Sequence, residues 1–314
     1  MKLLIVIPAY NEEENIGFVI EKIPRSIEGV SEIKILVVDD GSTDNTARMS
    51  KEKGAVVVSH QKNKGLGLAF RTGIEESLKF KADLIVNIDA DGQFDPNDIQ
   101  KLISPILKGE ADMVTATRFK NSTPQIPLFK KWGNKLFTGL VNFLTKEHFT
   151  DTQCGFRAYS KEAVLHLNLF GRFTYTQEVF ICLLNKGIAI KEVPVEVKYQ
   201  KGRKAKISSS LPLYFIKAIV IIFQTFRDYK PLIFFGLPGL IIFGAGFGFG
   251  LYSFIYFLIT SQTTPVRMYF FVGVALITFG FLLIILALIA DMLRRIRQNQ
   301  EEILYKLKKK EQDQ

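Results

Sequence analysis

The sequence predicts an α/β domain on a mostly parallel sheet, followed by a surface-lying helix and a two-helix membrane hairpin. Three observations predict it. Short runs rich in Val and Ile alternate with helical patterns through the first half of the 314 residues, as strand–helix units do. Residues 231–266 and 268–290 carry no charge, and only Arg267 parts them. The net charge of +10 lies beside those two stretches rather than across the chain.

Strands are expected at residues 3–7, 33–38, 55–59, 84–88 and 113–116, all read as buried. Helices are expected near 12–23, 44–53, 66–80 and 96–108. The last opens at Asp95-Pro96, a capping residue followed by proline at the first helical position. The start reads as a first strand, because its apolar run before Pro8 is too short for a signal peptide. No internal repeat or low-complexity segment interrupts the pattern.

These elements divide the chain into a domain over 1–207, an amphipathic helix over 208–230, a membrane hairpin over 231–292 and a basic tail over 293–314. Each uncharged stretch exceeds the roughly 20 residues that span a bilayer as a helix, giving spans near 232–260 and 268–290. In the linking helix Ser210, Lys217 and Gln224 recur every seven residues, and apolar residues such as Phe215, Ile219 and Phe226 cover the rest. A helix in the membrane surface is expected there, with a third span as the alternative.

Residues 198–230 hold eight basic residues against one acid, Asp228, and the tail from Arg294 holds seven against four. The loop between the spans has only Arg267. Both termini and the soluble domain are therefore expected in the cytoplasm, on an integral membrane protein. Residues 1–197 sum to zero charge, which excludes a general nucleic-acid surface. Cys154 and Cys182 form no metal or disulfide pattern, as suits a reducing compartment.

In parallel sheets ligands bind beyond the carboxyl ends of the strands, and the polar motifs fall there. The first strand runs into Pro8-Ala9-Tyr10-Asn11-Glu12 and the second into Asp39-Asp40-Gly41-Ser42-Thr43-Asp44. Paired carboxylates at a strand end accept hydrogen bonds from a base or ribose, and Tyr10 offers a ring to stack on. Thr43 or Asp44 is expected to cap the next helix while Asp39 and Asp40 face the ligand. The fourth strand leads into Asp89-Ala90-Asp91-Gly92-Gln93. Carboxylates two apart at a sheet mouth suit Mg²⁺ or Mn²⁺ shared with substrate phosphates. His60, His148 and His166 sit in no catalytic pattern and read as surface or packing residues.

Taken in order, these motifs, the Lys64-Gly65-Leu66-Gly67 segment and Thr117-Arg118-Phe119 resemble the family 2 glycosyltransferases of the GT-A fold. Asp151-Thr152-Gln153-Cys154-Gly155-Phe156-Arg157 and the basic stretch 202–206 are similar to the branch that makes polyprenyl-phosphate sugars, such as dolichyl-phosphate mannose synthases and polyprenyl-phosphate glucosyltransferases. The resemblance implies a nucleotide held by Pro8, Ala9, Tyr10, Glu12, Asp39, Asp40, Asp89 and Ala90. It implies a metal at Asp91, with Asp89 and Gln93 in or beside its shell. Arg118 would reach the donor diphosphate or the acceptor phosphate, making Asp89, Asp91 and Arg118 the catalytic set. Lys130, Lys131, Asn134, Arg203 and Lys206 would meet the lipid phosphate. Family members often read Gly-x-Ser-Lys where this chain has Gly202-Arg203-Lys204-Ala205-Lys206.

The implied reaction is inverting transfer of a sugar from a nucleotide sugar to dolichyl or undecaprenyl phosphate, by a homo-oligomer, a tetramer. UDP-glucose is the favoured donor, with GDP-mannose and UDP-N-acetylhexosamine open. The Gln-x-x-Arg-Trp motif of processive polysaccharide synthases is missing, since the one tryptophan is Trp132. Rival readings are a nucleotide-binding membrane scaffold without catalysis and a transferase with a non-lipid acceptor. The glycines at 244, 246, 248 and 250 read as helix-packing positions. The tail reads as lying on anionic headgroups, with oligomer contacts as the alternative.

Overall fold

The computed structural model describes residues 1–119, 128–168, 175–197, 220, 223–224 and 226–313. Arg203 and Lys206, and most of the expected surface-lying helix, fall outside the described residues. Met1–Lys204 with Leu304–Gln314 form one compact unit, and Ala205–Ile303 form a second.

The first unit is built on β1 (Lys2–Ala9), β2 (Glu32–Asp39), β3 (Val56–Ser59), β4 (Leu84–Asn87), β5 (Met113–Thr117), β6 (Arg157–Ser160) and β7 (Ile190–Pro194). They form one sheet in the order β3-β2-β1-β4-β6-β5-β7. Only β6 is antiparallel to its neighbours; the remaining pairs are parallel. β1 is buried on both faces except at Lys2, as its unbroken Leu-Ile-Val run requires. Leu3, Ile5 and Ile7 of β1 join Val37, Val86 and the α4 residues Leu102 and Ile103 (α4, Ile99–Leu107) in the main core. β3, expected to be buried, is the sheet edge and is half-exposed at Val57 and Val58.

α1 (Glu13–Lys22), α2 (Thr46–Glu52) and α3 (Leu66–Lys79) occupy the expected helical stretches. The stretch opening at Asp95-Pro96 starts with a 3₁₀ turn, Pro96–Asp98, in which the Asp95 carboxylate accepts from the Asn97 N–H. α5 (Leu128–Thr145), α6 (Lys161–His166) and α7 (Thr176–Asn185) complete the unit. α3 passes close over β1, where a Cβ at Gly73 would collide with Val6.

β6 runs against the rest of the sheet, and its register pairs Arg157 with Asn87 and Ser160 with Leu84. The loop preceding β6, rather than the one after it, therefore reaches the edge where β4 ends.

Among the described residues, two helices are long and apolar enough to cross a membrane, Leu232–Thr260 and Thr264–Gln312, and the second unit holds them up to Ile303. They meet along glycines. A Cβ at Gly246 would stand 2.8 Å from the Gly273 carbonyl oxygen, and one at Gly280 would stand 2.5 Å from the Phe243 nitrogen. Gly239 approaches the Gly280 carbonyl in the same way. Gly239 and Gly246 are seven residues apart, as are Gly273 and Gly280, so each pair lies on one helix face. Gly244, Gly248 and Gly250, by contrast, open on empty space.

The second apolar helix continues to Asp313, and its last residues return to the first unit. Tyr305 donates its hydroxyl to Glu162 at 2.7 Å and stacks on His166, centroids 4.1 Å apart. Lys308 donates to the Leu167 carbonyl at 2.8 Å and to Asn168 at 2.9 Å, and Gln312 donates to the Leu78 carbonyl. These cationic and amide groups satisfy carbonyls at the carboxyl ends of α6 and α3. The tail is thus engaged with protein on this face, where headgroups were expected.

Candidate active site

At the carboxyl end of the sheet, the loops after β1 and β2 are laced together. Asn11 takes a left-handed backbone (φ 53°), a region asparagine tolerates. Its N–H donates to Ser42 Oγ, and its side-chain oxygen accepts from the Thr43 N–H. The Glu12 N–H donates to Thr46 Oγ1, while the Glu13 carboxylate accepts from the Asn45 N–H and side chain. Asp44 accepts from the Thr46 N–H and hydroxyl at the mouth of α2, one residue before the N-cap, which is Asn45 where Thr43 or Asp44 was expected. Pro8 and Ala9 are buried, and the Tyr10 side chain is exposed above them.

Asp39 and Asp40 diverge. Asp39 accepts from the Ser42 N–H at 3.0 Å, shaping its own turn. Asp40 turns toward the loop 60–65, accepting from the Lys64 N–H at 2.9 Å and the Gly65 N–H at 2.8 Å. Its Oδ1 also lies 2.7 Å from His60 Nδ1, and His60 Nε2 lies 3.0 Å from Thr72 Oγ1 on α3. The loop crosses directly over Gly41, where a Cβ would stand 2.5 Å from the Lys62 carbonyl carbon. His60 is thus a buried strut that fixes Asp40 and the entry to α3, where a surface or packing role was expected.

Asp89 and Asp91 follow β4. Asp91 Oδ1 accepts from the Gln93 N–H at 3.1 Å, making a tight turn. Asp89 lies against Gly155, where a Cβ would come within 2.9 Å of both carboxylate oxygens. Burial and the Asp91 charge push the Asp89 carboxyl up to about 7. Ala90 between them is buried. Two hard oxygen donors that repel each other suit a divalent cation, which relieves the repulsion; Asp91 and Asp89 would hold it, with Gln93 alongside.

Arg118, just past β5, is gripped by Asp151. Its Nε donates to Oδ2 at 2.6 Å and its Nη2 to Oδ1 at 3.0 Å, a two-point fork. Asp151 is fully buried and also accepts from Asn134 of α5 at 3.1 Å. Glu192 of β7 braces the same loop by accepting from the Thr150 and Asp151 N–H groups. Asn134 therefore points inward, bonded to Asp151 and Thr138. Lys131 on the same helix is exposed, and the Lys130 side chain lies outside the described residues.

Behind Asp89 sits Arg157, 0% exposed. It donates to the Cys154 carbonyl at 2.8 Å and the Thr152 carbonyl at 2.9 Å, and its guanidinium stacks 4.9 Å from the Phe180 ring. Asn87 donates to the Gly155 carbonyl at 2.8 Å, tying the same loop to β4. Burial pushes the Cys154 thiol up to about 12, so it offers no thiolate nucleophile.

The sequence pattern described as Glycosyl transferase family 2 matches residues 4–167, the segment that holds these motifs. The chain belongs to glycosyl transferase family 2. Other members of the family lie close in sequence. A UDP-N-acetylglucosamine–dolichyl-phosphate N-acetylglucosaminyltransferase of Methanococcus voltae is 32% identical, covering 65% of this chain and 88% of its own. Glycosyltransferase AglJ of Haloferax volcanii is 28% identical over 94% of this chain and 95% of its own. In fold, the chain is similar to glucosyl-3-phosphoglycerate synthase of Mycobacterium tuberculosis, solved with Mn²⁺, UDP and phosphoglyceric acid. The TM-score is 0.55 at 23% identity, over 70% of this chain and 78% of that one. This family 2 glycosyltransferase thus has GT-A-like neighbours, on a mixed sheet of seven strands.

Within the glycosyltransferase, Asp39, Asp89, Asp91 and Arg118 stand at the carboxyl ends of three strands, β2, β4 and β5. The structure adds Asp151, Gly155, Arg157 and His60, to which the sequence assigns no individual role. Asp151 through Arg157 stand out in the sequence only as a motif, and the signal for Asp151 and Arg157 is their charge in that otherwise uncharged segment.

Proposed function

We propose that this glycosyltransferase moves a hexose from a nucleoside diphosphate sugar to a polyprenyl phosphate at the cytoplasmic face of a membrane. The observation that carries it is the Asp89–Asp91 pair with Arg118 held beside it by Asp151, in a chain that also has two membrane-length helices. A uridine diphosphate donor is favoured, in keeping with the name of the Methanococcus voltae relative. Asp39, Tyr10, Glu12 and the laced loops would hold the nucleotide, with Pro8, Ala9 and Ala90 shaping the backbone beneath it. Asp40 acts from behind by fixing the loop 60–65. Lys130, Lys131, Arg203 and Lys206 would meet the lipid phosphate. The hairpin would place both termini in the cytoplasm, with the loop after Thr260 on the other side.

Two anions must be brought together, because a phosphate with its second pKa near ~6 already carries the charge of a nucleophile. A phosphate oxygen attacks the anomeric carbon from the side opposite the diphosphate. The carbon–oxygen bond to the diphosphate breaks, and the nucleoside diphosphate leaves. Bound Mg²⁺ or Mn²⁺ supplies the charge that offsets the departing diphosphate. Asp89 and Asp91 orient that end of the donor. Arg118, oriented by its fork to Asp151, would turn its guanidinium charge toward a phosphate oxygen.

The test is turnover by the purified full chain in detergent. A short polyprenyl phosphate is offered with UDP-glucose, UDP-N-acetylglucosamine or GDP-mannose, with and without Mn²⁺. One donor is expected to give a lipid-linked sugar, abolished by chelator. Asp91→Asn is expected to lower turnover by about a hundredfold or more, about 2.7 kcal/mol in the barrier, at nearly unchanged melting temperature. Transfer that survives chelator and this substitution would overturn the metal assignment. Hydrolysis or transfer to soluble phosphates alone would overturn the lipid acceptor.

A further inference from the structure

β4 is buried at every residue, and Asn87 is its one polar member after Leu84, Ile85 and Val86. A buried amide must find partners, and Asn87 finds them outside its own strand. Its Nδ2 donates to the Gly155 carbonyl at 2.8 Å and to the Tyr175 hydroxyl at 3.0 Å. Tyr175, at the N-cap of α7, is fully buried and stacks on Phe70 of α3 with ring centroids 3.8 Å apart. Asn87 is thus held on one side by a tyrosine packed between two helices. On the other side it holds Gly155.

Gly155 does not take a left-handed backbone, so its missing side chain serves space rather than conformation. A Cβ there would stand 2.9 Å from each Asp89 carboxylate oxygen and 3.3 Å from the carboxyl carbon. Equal distances to the oxygens, with the carbon farther off, mean that Gly155 faces the carboxylate end-on. Asn87 and Asp89 are two residues apart on one strand end, so the strand that carries the acid also ties down the backbone facing it. The same loop reaches the arginine. Arg157 donates to the Thr152 and Cys154 carbonyls and curls the segment 151–157 onto itself, while Asp151 at its start holds Arg118.

We propose that Gly155 is a positioning residue for the carboxylate pair: its bare backbone sets the direction of Asp89, and Asn87 sets the place of that backbone. The inference rests on the assignment of a divalent cation to Asp89 and Asp91. An alanine at 155 must turn the carboxylate aside. The atoms it meets are the free end of a side chain, which can rotate at little cost to the fold. A cation cannot accept that rotation, because residues that orient a metal ligand govern affinity by about 10–100-fold.

The test titrates the full chain in detergent with Mn²⁺ alone, reading the free ion from its paramagnetic resonance signal. Gly155→Ala is expected to weaken Mn²⁺ binding by about tenfold or more at a nearly unchanged melting temperature of the metal-free protein. Asn87→Ala is expected to weaken it by about tenfold. The double variant is expected to lose less than the product of the two, because a loop released from Asn87 can retreat from the added methyl. A parent that takes up no Mn²⁺ would overturn the metal assignment, and this inference with it. A parent that binds, matched by Gly155→Ala, would overturn this inference alone. Affinity lost only in step with a fall in melting temperature would also overturn it, as damage to the fold. Losses that multiply in the double variant would overturn the part given to Asn87.

Discussion

A carboxylate buried beside another carboxylate keeps its proton into neutral solution, and Asp89 keeps it to about 7. Its value in the unfolded chain is near 3.8. The raised folded value means that protonation stabilises the metal-free protein. That contribution is fully present below about pH 4 and is lost as pH rises through about 7. A divalent cation must displace the same proton. Apparent Mn²⁺ affinity is therefore expected to rise about tenfold per pH unit up to about 7 and then level off. Calorimetric titration of Mn²⁺ between about pH 6 and about pH 8 reads this directly, and a flat profile would contradict it. The carboxylate pair was legible in the sequence because its partners are two residues apart on one turn. Asp40 was legible only as a charge near a ligand, since the N–H groups it serves lie 24 and 25 residues further on. The Arg118–Asp151 fork spans 33 residues, and nothing local announces it.

At the scale of elements, β1, β2, β4 and β5 were legible from runs of Val, Ile and Leu that only a covered sheet can use. β6 was not. Arg157-Ala158-Tyr159-Ser160 puts an arginine and a tyrosine on one face of a strand buried at every residue except Ser160. Its reversed direction follows from pairing rather than composition. The hairpin glycines divide in a similar way. All four of 244, 246, 248 and 250 read alike in the sequence, yet only at Gly246 would an added Cβ meet the opposing backbone, and Gly239, Gly273 and Gly280 complete the seam, with Gly273 also facing the Gly250 nitrogen. Gly280→Val is therefore expected to lower stability in detergent by about 1–3 kcal/mol, because the Phe243 backbone leaves no room. Gly248→Val faces empty space and is expected to stay within about 0.5 kcal/mol. Thermal unfolding of the two variants separates the seam from a general cost of replacing glycine in a helix.

For the whole molecule, the charge-free stretches and their basic borders made the apolar hairpin legible. The return of the tail was not legible. Ile303, Leu304 and Leu307 suggested a face, but the residues that engage are Tyr305, Lys308 and Gln312, and all three bond to groups far away in sequence. Lys308→Met removes two hydrogen bonds and leaves the Leu167 carbonyl without that donor. The expected loss is about 1–3 kcal/mol in unfolding of the catalytic unit, with membrane fractionation unchanged. Equal melting of variant and parent would mean that the docked tail adds nothing to the fold.

The tail also sets an order of manufacture. Domains emerge from the ribosome amino end first and begin folding as they emerge. Here the catalytic unit is completed by Leu304–Gln314, the end of the second long helix, made only after that helix's charge-free stretch. Until it arrives, the Leu167 carbonyl lacks its Lys308 donor and the Leu78 carbonyl has the Lys81 N–H but not Gln312. A nascent chain can therefore close its sheet early but cannot finish its surface until its anchor has been translated. Every molecule with a docked tail has already synthesised its means of staying at the membrane.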